Sequence, residues 1–322
     1  MQILLAPMEG VVDHTLRAML TKQGSIDRCV TEFIRITNQL LPPKVFYRYC
    51  PELHNKGQTR YKVPVYVQLL GGQAEPMAMN AERAAQLGAP GIDINFGCPA
   101  KLVNRNDGGS VLLKEPQRLF AIVHAVRNSV PAPIPVTAKI RLGFEDRSLL
   151  NDITQSIIEA GASELIIHAR TKRDGYKPPA YWDAIADIKS KSPIPIIANG
   201  EIWSVNDYHR CQQQSGCDDV MLGRGLLAYP GLACQIKQQQ TQTDESTNSW
   251  QYVLDLLTEF CVVTEKEYER KYVGNRVKQW LGYLRRQYLQ ANDLFDDVKR
   301  LKWPEEIASV IAQYKNTAPN KR

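Results

Sequence analysis

The chain has 322 residues, 43% of them hydrophobic and 23% charged, enough for one large domain, or a large and a small one, with a core that needs no disulfides. Its seven cysteines include no C-x-x-C pair, which argues against zinc and iron–sulfur centres, and no metal is expected. The net charge of +6 permits an anionic partner without demanding one, and no apolar run approaches the ~18 residues of a membrane span.

Met1-Gln2-Ile3-Leu4-Leu5 lacks a basic flank and runs straight into Pro7, unlike a secretory signal. With an odd number of cysteines, the expected compartment is a reducing cytoplasm. Apolar runs then recur at Ile3–Ala6, Arg28–Ile34, Val63–Leu70, Gly91–Asn95, Pro135–Ile140, Glu164–His168, Ile194–Ala198 and Asp218–Leu222. They are rich in Val, Ile and Leu and barely alternate, as strands covered on both faces should. Amphipathic stretches lie between them at Ala78–Leu87, Pro116–Asn128, Leu149–Ala160, Trp182–Lys189 and Val205–Gln214. Gly88, Gly161 and Gly216 follow three of these as helix stops. Strand–helix alternation repeated eight times predicts an α/β fold, a (β/α)8 TIM barrel, over residues 1–237. A doubly wound sheet would want G-x-G-x-x-G after its first strand, and Met8-Glu9-Gly10-Val11 does not supply it.

Beyond the barrel, Gln238–Asn248 is rich in Gln, Thr and Ser and reads as a linker. Helical periodicity follows at Ser249–Tyr272, Arg276–Leu289 and Pro304–Tyr314, which predicts a C-terminal helical bundle over residues 249–322. The tail Asn316–Arg322 reads as disordered.

Barrel chemistry sits at the C-terminal ends of the strands. Those ends carry Pro7, Met8 and Glu9; Glu32 and Arg35; Gln68; Asn95 and Cys98; Lys139 and Arg141; His168 and Arg170; Asn199, Gly200 and Glu201; and Gly223 and Arg224. A full ring of polar groups at one end calls for a polar ligand. In Asp93-Ile94-Asn95-Phe96-Gly97-Cys98-Pro99 the strand stops at Gly97, and Pro99 forbids its extension, so Cys98 sits at a strand mouth. A thiol there can give or take a proton, although a lone cysteine is more often structural. Asn199-Gly200-Glu201 and Gly223-Arg224-Gly225 follow the last two strands, where barrels commonly bind phosphate. Lys139, inside an apolar strand, wants a negative partner.

Taken in order, Leu5-Ala6-Pro7-Met8, the Asp93–Pro99 segment, Gly108-Gly109-Ser110, Lys139-Ile140-Arg141, His168-Ala169-Arg170-Thr171, Asn199-Gly200-Glu201 and Gly223-Arg224-Gly225 resemble the tRNA-dihydrouridine synthases. Thr31–Arg35, the Gln39–Leu53 insert and Lys278-Gln279-Trp280-Leu281 resemble the DusC branch, which acts on uridine 16 of the tRNA D-loop. The resemblance implies FMN held by Pro7, Met8, Glu9, Gln68, Lys139, His168, Asn199, Gly200, Glu201, Gly223 and Arg224. It implies NADPH as reductant, hydride passing from flavin N5 to uracil C6, and Cys98 protonating C5 from the opposite face, with Asn95 beside the base. Arg35, Arg141, Arg170 and Tyr176 are the barrel's expected tRNA contacts. Lys266–Arg286 sets seven cations against two carboxylates, with Tyr272, Trp280 and Tyr283 interleaved. Lys271, Arg276, Lys278 and Gln279 of this run are expected to grip tRNA from a solvated face. A monomer without a membrane partner is expected. Two rivals stay open: a free-pyrimidine flavoenzyme of the dihydroorotate dehydrogenase kind, which would not need basic helices, and a non-catalytic tRNA-binding chaperone.

Overall fold

A computed structural model describes residues 1–238 and 249–317. Nine strands form one parallel sheet: β1 (Ile3–Leu5), β2 (Arg28–Val30), β3 (Ile34–Arg35), β4 (Val65–Leu70), β5 (Ile92–Asn95), β6 (Val136–Arg141), β7 (Glu164–His168), β8 (Ile196–Asn199) and β9 (Val220–Leu222). β1 pairs with both β2 and β9, β2 pairs with β4, and β4 through β9 pair in sequence, so eight strands close into a barrel. The expected single run Arg28–Ile34 is broken. β2 meets the first half of β4 (Cys29 opposite Val65) and β3 the second half (Ile34 opposite Leu69). Between them Thr31 stays bonded to β4: its N–H donates to the Tyr66 carbonyl and its Oγ1 accepts from the Gln68 N–H. Glu32 and Phe33 therefore leave the ladder, as in a bulge, and face the barrel mouth.

Period-two alternation divides the strands between lumen and shell. Leu4, Ala6, Val30, Tyr66, Ile166, Ile197 and Met221 fill the lumen as one apolar cluster. Burying each large aliphatic side chain contributes about 1.5–3 kcal/mol. At the N-terminal end Arg28 pairs with Glu164 and stacks over the Tyr66 ring at 4.5 Å, which closes the lumen floor.

The barrel helices are α1 (His14–Thr21), α2 (Pro43–Tyr49), α3 (Ala74–Gln86), α4 (Lys101–Arg105), α5 (Pro116–Ser129), α6 (Leu150–Glu159), α7 (Asp183–Lys191), α8 (Val205–Ser215), α9 (Arg224–Ala228) and α10 (Leu232–Gln238). Asp13 caps α1 by accepting from the Leu16 N–H, and Ser204 caps α8 by accepting from the Asp207 N–H. Four more helices form the bundle: α11 (Trp250–Glu267), α12 (Arg270–Leu284), α13 (Gln290–Val298) and α14 (Pro304–Thr317).

Three expectations for the C-terminal region are corrected. The run Ser249–Tyr272 is not one helix: Tyr268 is extended (φ −125°, ψ 150°), its hydroxyl donating to Asp13 on the barrel. The run Arg276–Leu289 is instead Arg270–Leu284, and an unanticipated helix, α13, begins after Leu289. Asn316 continues α14 rather than starting a tail. The rest of that tail, and the expected linker after Gln238, lie outside the described residues.

The buried Trp280 of α12 sets its ring edge-on against Phe260 of α11 at 5.0 Å. Its Nε1–H donates to the Leu227 carbonyl of α9 (3.1 Å), which fastens the bundle to the barrel just after the Gly223–Gly225 segment.

Candidate active site

The inward positions next above the apolar lumen are polar because each strand is one alternation from its C-terminal end. Gln68 of β4, Asn95 of β5, Lys139 of β6, His168 of β7 and Asn199 of β8 all line one cavity of about 420 Å³, within the range of small-molecule sites. Pro7, Met8, Glu9, Cys98, Arg141, Tyr176, Gly200, Glu201, Gly223 and Arg224 complete most of its wall.

These groups orient one another. Asp93, buried in β5, accepts from Thr137 Oγ1 (2.6 Å) and from Gln68 Nε2 (2.7 Å). A carboxylate can only accept, so Gln68 must turn its oxygen the other way, where it accepts from Asn95 Nδ2 (2.8 Å). Asn95 Oδ1 is thereby left to accept the Gly97 and Cys98 N–H groups, both at 2.9 Å. Across the mouth Lys139 Nζ donates to Asn199 Oδ1 (2.9 Å), and Asn199 Nδ2 donates to the Met221 carbonyl (2.7 Å).

Burial sets the charge states. Desolvation, helped by Arg141, pulls Lys139 down to about 8. His168 is held well below its ordinary value by burial and by the cations Arg141, Lys139, Arg170 and Arg224, so it is neutral. Cys98 is pushed above the usual thiol value by burial, so at neutral pH it carries its proton. Glu9 is raised to about 7 by burial and by the neighbouring Glu32 carboxylate.

Gly200 holds φ +116°, and a Cβ there would stand 2.7 Å from His168 Cδ2, so only glycine fits. Glu201 also has positive φ (59°), and its carboxylate meets Arg170 at 2.5 Å and Arg224 at 3.5 Å. Arg224 lies over the rings of Tyr176 (5.4 Å) and Trp203 (5.1 Å), and Arg286 lies 4.6 Å from the Trp203 ring.

The cavity gathers the residues expected around a cofactor and around Cys98. The expected nucleic-acid contacts fare differently. Tyr176 is exposed at the rim. Arg141 lines the cavity but is buried, its Nε donating to the Gly97 carbonyl and its Nη1 to those of Thr171 and Gly175. Arg170 is fully buried behind Glu201, and its Nε donates to the Lys177 carbonyl. Arg35 ends β3 outside the cavity wall.

The C-terminal run is not one solvated face. Arg276 is 15% exposed, pairs with Asp13 at 2.5 Å and donates to the Gly10 and Val11 carbonyls. Gln279 Nε2 donates to the same Gly10 carbonyl (2.9 Å), and Lys278 Nζ to that of Leu301 (2.9 Å). Residues two apart diverge around a helix, so Arg276 grips the barrel while Lys278 grips the bundle. Lys271 is exposed and pairs with Glu269.

Phe33, Ile202 and Trp203 line the cavity and were missed by sequence reasoning. Trp203, two residues after Glu201, had a signal in its position. Tyr283 stood only in the basic aromatic run, yet it reaches the cavity from α12. Among the described residues, no helix is long and apolar enough to cross a membrane, and no group of three or more His, Cys, Asp or Glu side chains is placed to hold a metal ion.

Comparison with known proteins agrees with this geometry. The family model described as "Dihydrouridine synthase (Dus)" matches residues 4–316. The chain is 50% identical to a tRNA-dihydrouridine(16) synthase of Shewanella oneidensis over 97% of its own length and 98% of the relative's. It is 48% identical to one of Aquipseudomonas alcaligenes (97% and 99%) and 46% identical to one of Vibrio cholerae (98% and 97%). Among solved structures, histamine dehydrogenase from Rhizobium sp. 4-9 superposes with a TM-score of 0.56 at 13% identity, over 80% of this chain and 48% of that one. Morphinone reductase superposes with a TM-score of 0.51 at 13% identity, over 76% and 88%. These two likenesses show the barrel fold. With the family match running from β1 into the last helix, and relatives near half identical along the whole length, the chain belongs to the dihydrouridine synthase family.

Proposed function

We propose that this protein reduces a D-loop uridine of tRNA, at position 16, to 5,6-dihydrouridine, with bound FMN as cofactor, NADPH as reductant and Cys98 as proton donor. The carrying observation is a single cavity at the mouth of a (β/α)8 barrel that is lined by both a thiol, Cys98, and a half-buried lysine, Lys139. The position follows the printed name of the relatives, tRNA-dihydrouridine(16) synthase.

The donor set fits FMN. Lys139 has three N–H donors, and Asn199 is a neutral partner for one of them, so it suits an anionic ring edge. Gly200 and Gly223 let backbone approach a phosphate closely, with Arg224 beside them. Bound FMN supplies the two-electron chemistry between NADPH and the base. The protein's own part is orientation and one proton. Saturating C5=C6 takes a hydride at C6 and a proton at C5. The Cys98 S–H bond breaks as the C5–H bond forms, and the thiolate regains a proton from solvent. The uridine must leave its stack to reach a barrel mouth. Tyr176, Tyr283 and the Trp203–Arg286 pair offer stacking and cationic surface there. A monomer acting in the cytoplasm, with residues 1–237 as catalytic barrel and 249–322 as tRNA-binding bundle, completes the reading.

The test is incubation of the FMN-loaded protein with NADPH and unmodified tRNA, followed by mapping of dihydrouridine. Conversion of uridine 16 is expected. A flavin-loaded protein that leaves every uridine intact, or that reduces free pyrimidines and not tRNA, would overturn the proposal.

A further inference from the structure

The loop that carries Cys98 is held from more sides than a surface loop needs. Its N–H is taken by Asn95 Oδ1, as described above. Its carbonyl accepts from the Ser110 N–H (3.1 Å), from Ser110 Oγ (2.9 Å) and from Asn104 Nδ2 (2.9 Å). Asn104 Nδ2 uses its second hydrogen on the Ala100 carbonyl (2.8 Å). Ser110 Oγ lies equally near Asn104 Oδ1 (2.9 Å), so its one proton serves either acceptor. Ser110 is fully buried. Gly109 backs the same peptide: at φ +66°, a Cβ on it would stand 2.8 Å from the Cys98 carbonyl oxygen and 3.0 Å from Cys98 Cβ. Two residues of short α4 and the turn after it thus clamp one peptide unit, and that unit bears the single cysteine among seven that is not buried.

We propose that Asn104 and Ser110, with Gly109 behind them, are positioning residues for the proton donor, and that their function is to hold the Cys98 peptide so that its thiol meets the C5 side of the bound base. The inference rests on the reading of Cys98 as proton donor. Proton transfer needs the donor within hydrogen-bond reach, and a misplacement of about 1 Å costs on the order of 10²-fold in rate. A cysteine sulfur has only the three staggered positions about its Cα–Cβ bond, so the backbone beneath it sets where those positions lie. The Ser110 N–H and Asn104 Nδ2 hold that carbonyl, joined by Ser110 Oγ when its proton turns that way, while Asn95 Oδ1 holds the amide, so the backbone is restrained on both sides of the sulfur.

Two perturbations act on the clamp from different sides. Ser110→Ala and Asn104→Ala remove donors, whereas Gly109→Ala pushes the Cys98 peptide away. In each variant NADPH should reduce the bound flavin at the wild-type rate, and flavin content should be unchanged, because none of the three residues lines the cofactor cavity. Single-turnover reduction of tRNA should fall by about tenfold or more. A second readout needs neither cofactor nor RNA. Cys98 is the accessible thiol, so its alkylation by iodoacetamide reports the loop directly. Loosening the peptide should change that rate by about threefold or more while thermal unfolding stays cooperative. Wild-type alkylation rates in all three variants overturn the proposal whatever the protein does to tRNA. If the wild type forms dihydrouridine, wild-type turnover in all three overturns it as well. If the wild type forms none, the functional reading fails, and alkylation still decides whether the clamp exists.

Discussion

Cys98 and Lys139 show how one environment sets opposite demands. Burial raises the thiol, which keeps its proton available, and lowers the ammonium to about 8. Cys98→Ala should retain flavin reduction and tRNA binding while dihydrouridine formation falls by roughly 10² to 10⁴, the usual worth of a positioned acid. Single-turnover rates on tRNA decide this, and a wild-type rate would make Cys98 structural. For Lys139 the sign follows from the two states. Below about pH 8 folded and unfolded chains both hold the proton, and the ligand-free fold bears the full desolvation cost. Between about 8 and the ordinary 10.5 only the unfolded chain holds it, so this contribution to stability rises with pH across that window. Lys139→Met should therefore be more stable than wild type at pH 7 by about 2–3 kcal/mol, less the lost bond to Asn199, while losing affinity for FMN. Melting temperatures of the apo proteins from pH 7 to 10.5 test it: a gap that does not narrow as pH rises contradicts the assignment.

At the scale of elements, α12 proves to be a strut. Arg276 and Gln279 hold the Gly10–Asp13 segment, which directly follows Met8 and Glu9 of the cavity wall, and Trp280 holds α9. Reversing Arg276 and Lys278 to Glu would set a carboxylate against Asp13, where the wild type has a partly buried ion pair. The expected cost is about 1–3 kcal/mol rather than the small effect of a solvated change, with loosened flavin binding as a secondary effect. Urea unfolding and flavin affinity of the double variant measure this. Unchanged stability would mean that Arg276 carries no structural load.

For the whole molecule, tRNA affinity should depend steeply on salt, because most of it comes from phosphates. Arg286, stacked on Trp203 at the cavity rim, is the cation that the proposed function sets against the tRNA backbone there. Arg286→Ala should weaken binding at low salt and reduce the slope of log K against log salt by about 1. Affinities measured across a salt series check it. An unaltered slope would place the phosphate path elsewhere on the rim.

Several features were legible in the sequence because they are local. Eight apolar runs with glycine-stopped helices between them dictate a parallel barrel, since strands that barely alternate must be covered on both faces. Strand ends carrying Gln68, Asn95, Lys139, His168 and Asn199 dictate a polar mouth, and Cys98 falls there because the strand ends at Asn95, whose Oδ1 takes the Gly97 and Cys98 N–H groups. What the sequence left open depends on atoms brought together across the chain. The break at Glu32 and Phe33 follows from a bulge against β4, and the break at Tyr268 from a bond to Asp13, more than 200 residues away. Arg170 and Arg276 read as free cations because a guanidinium looks the same in sequence whether it faces water or Glu201 and Asp13. Tyr283 joins the cavity only because Trp280 docks α12 on α9. Periodicity records which face of an element is buried, but which partner buries it, and so which charges remain for a ligand, is decided by the packing of distant elements.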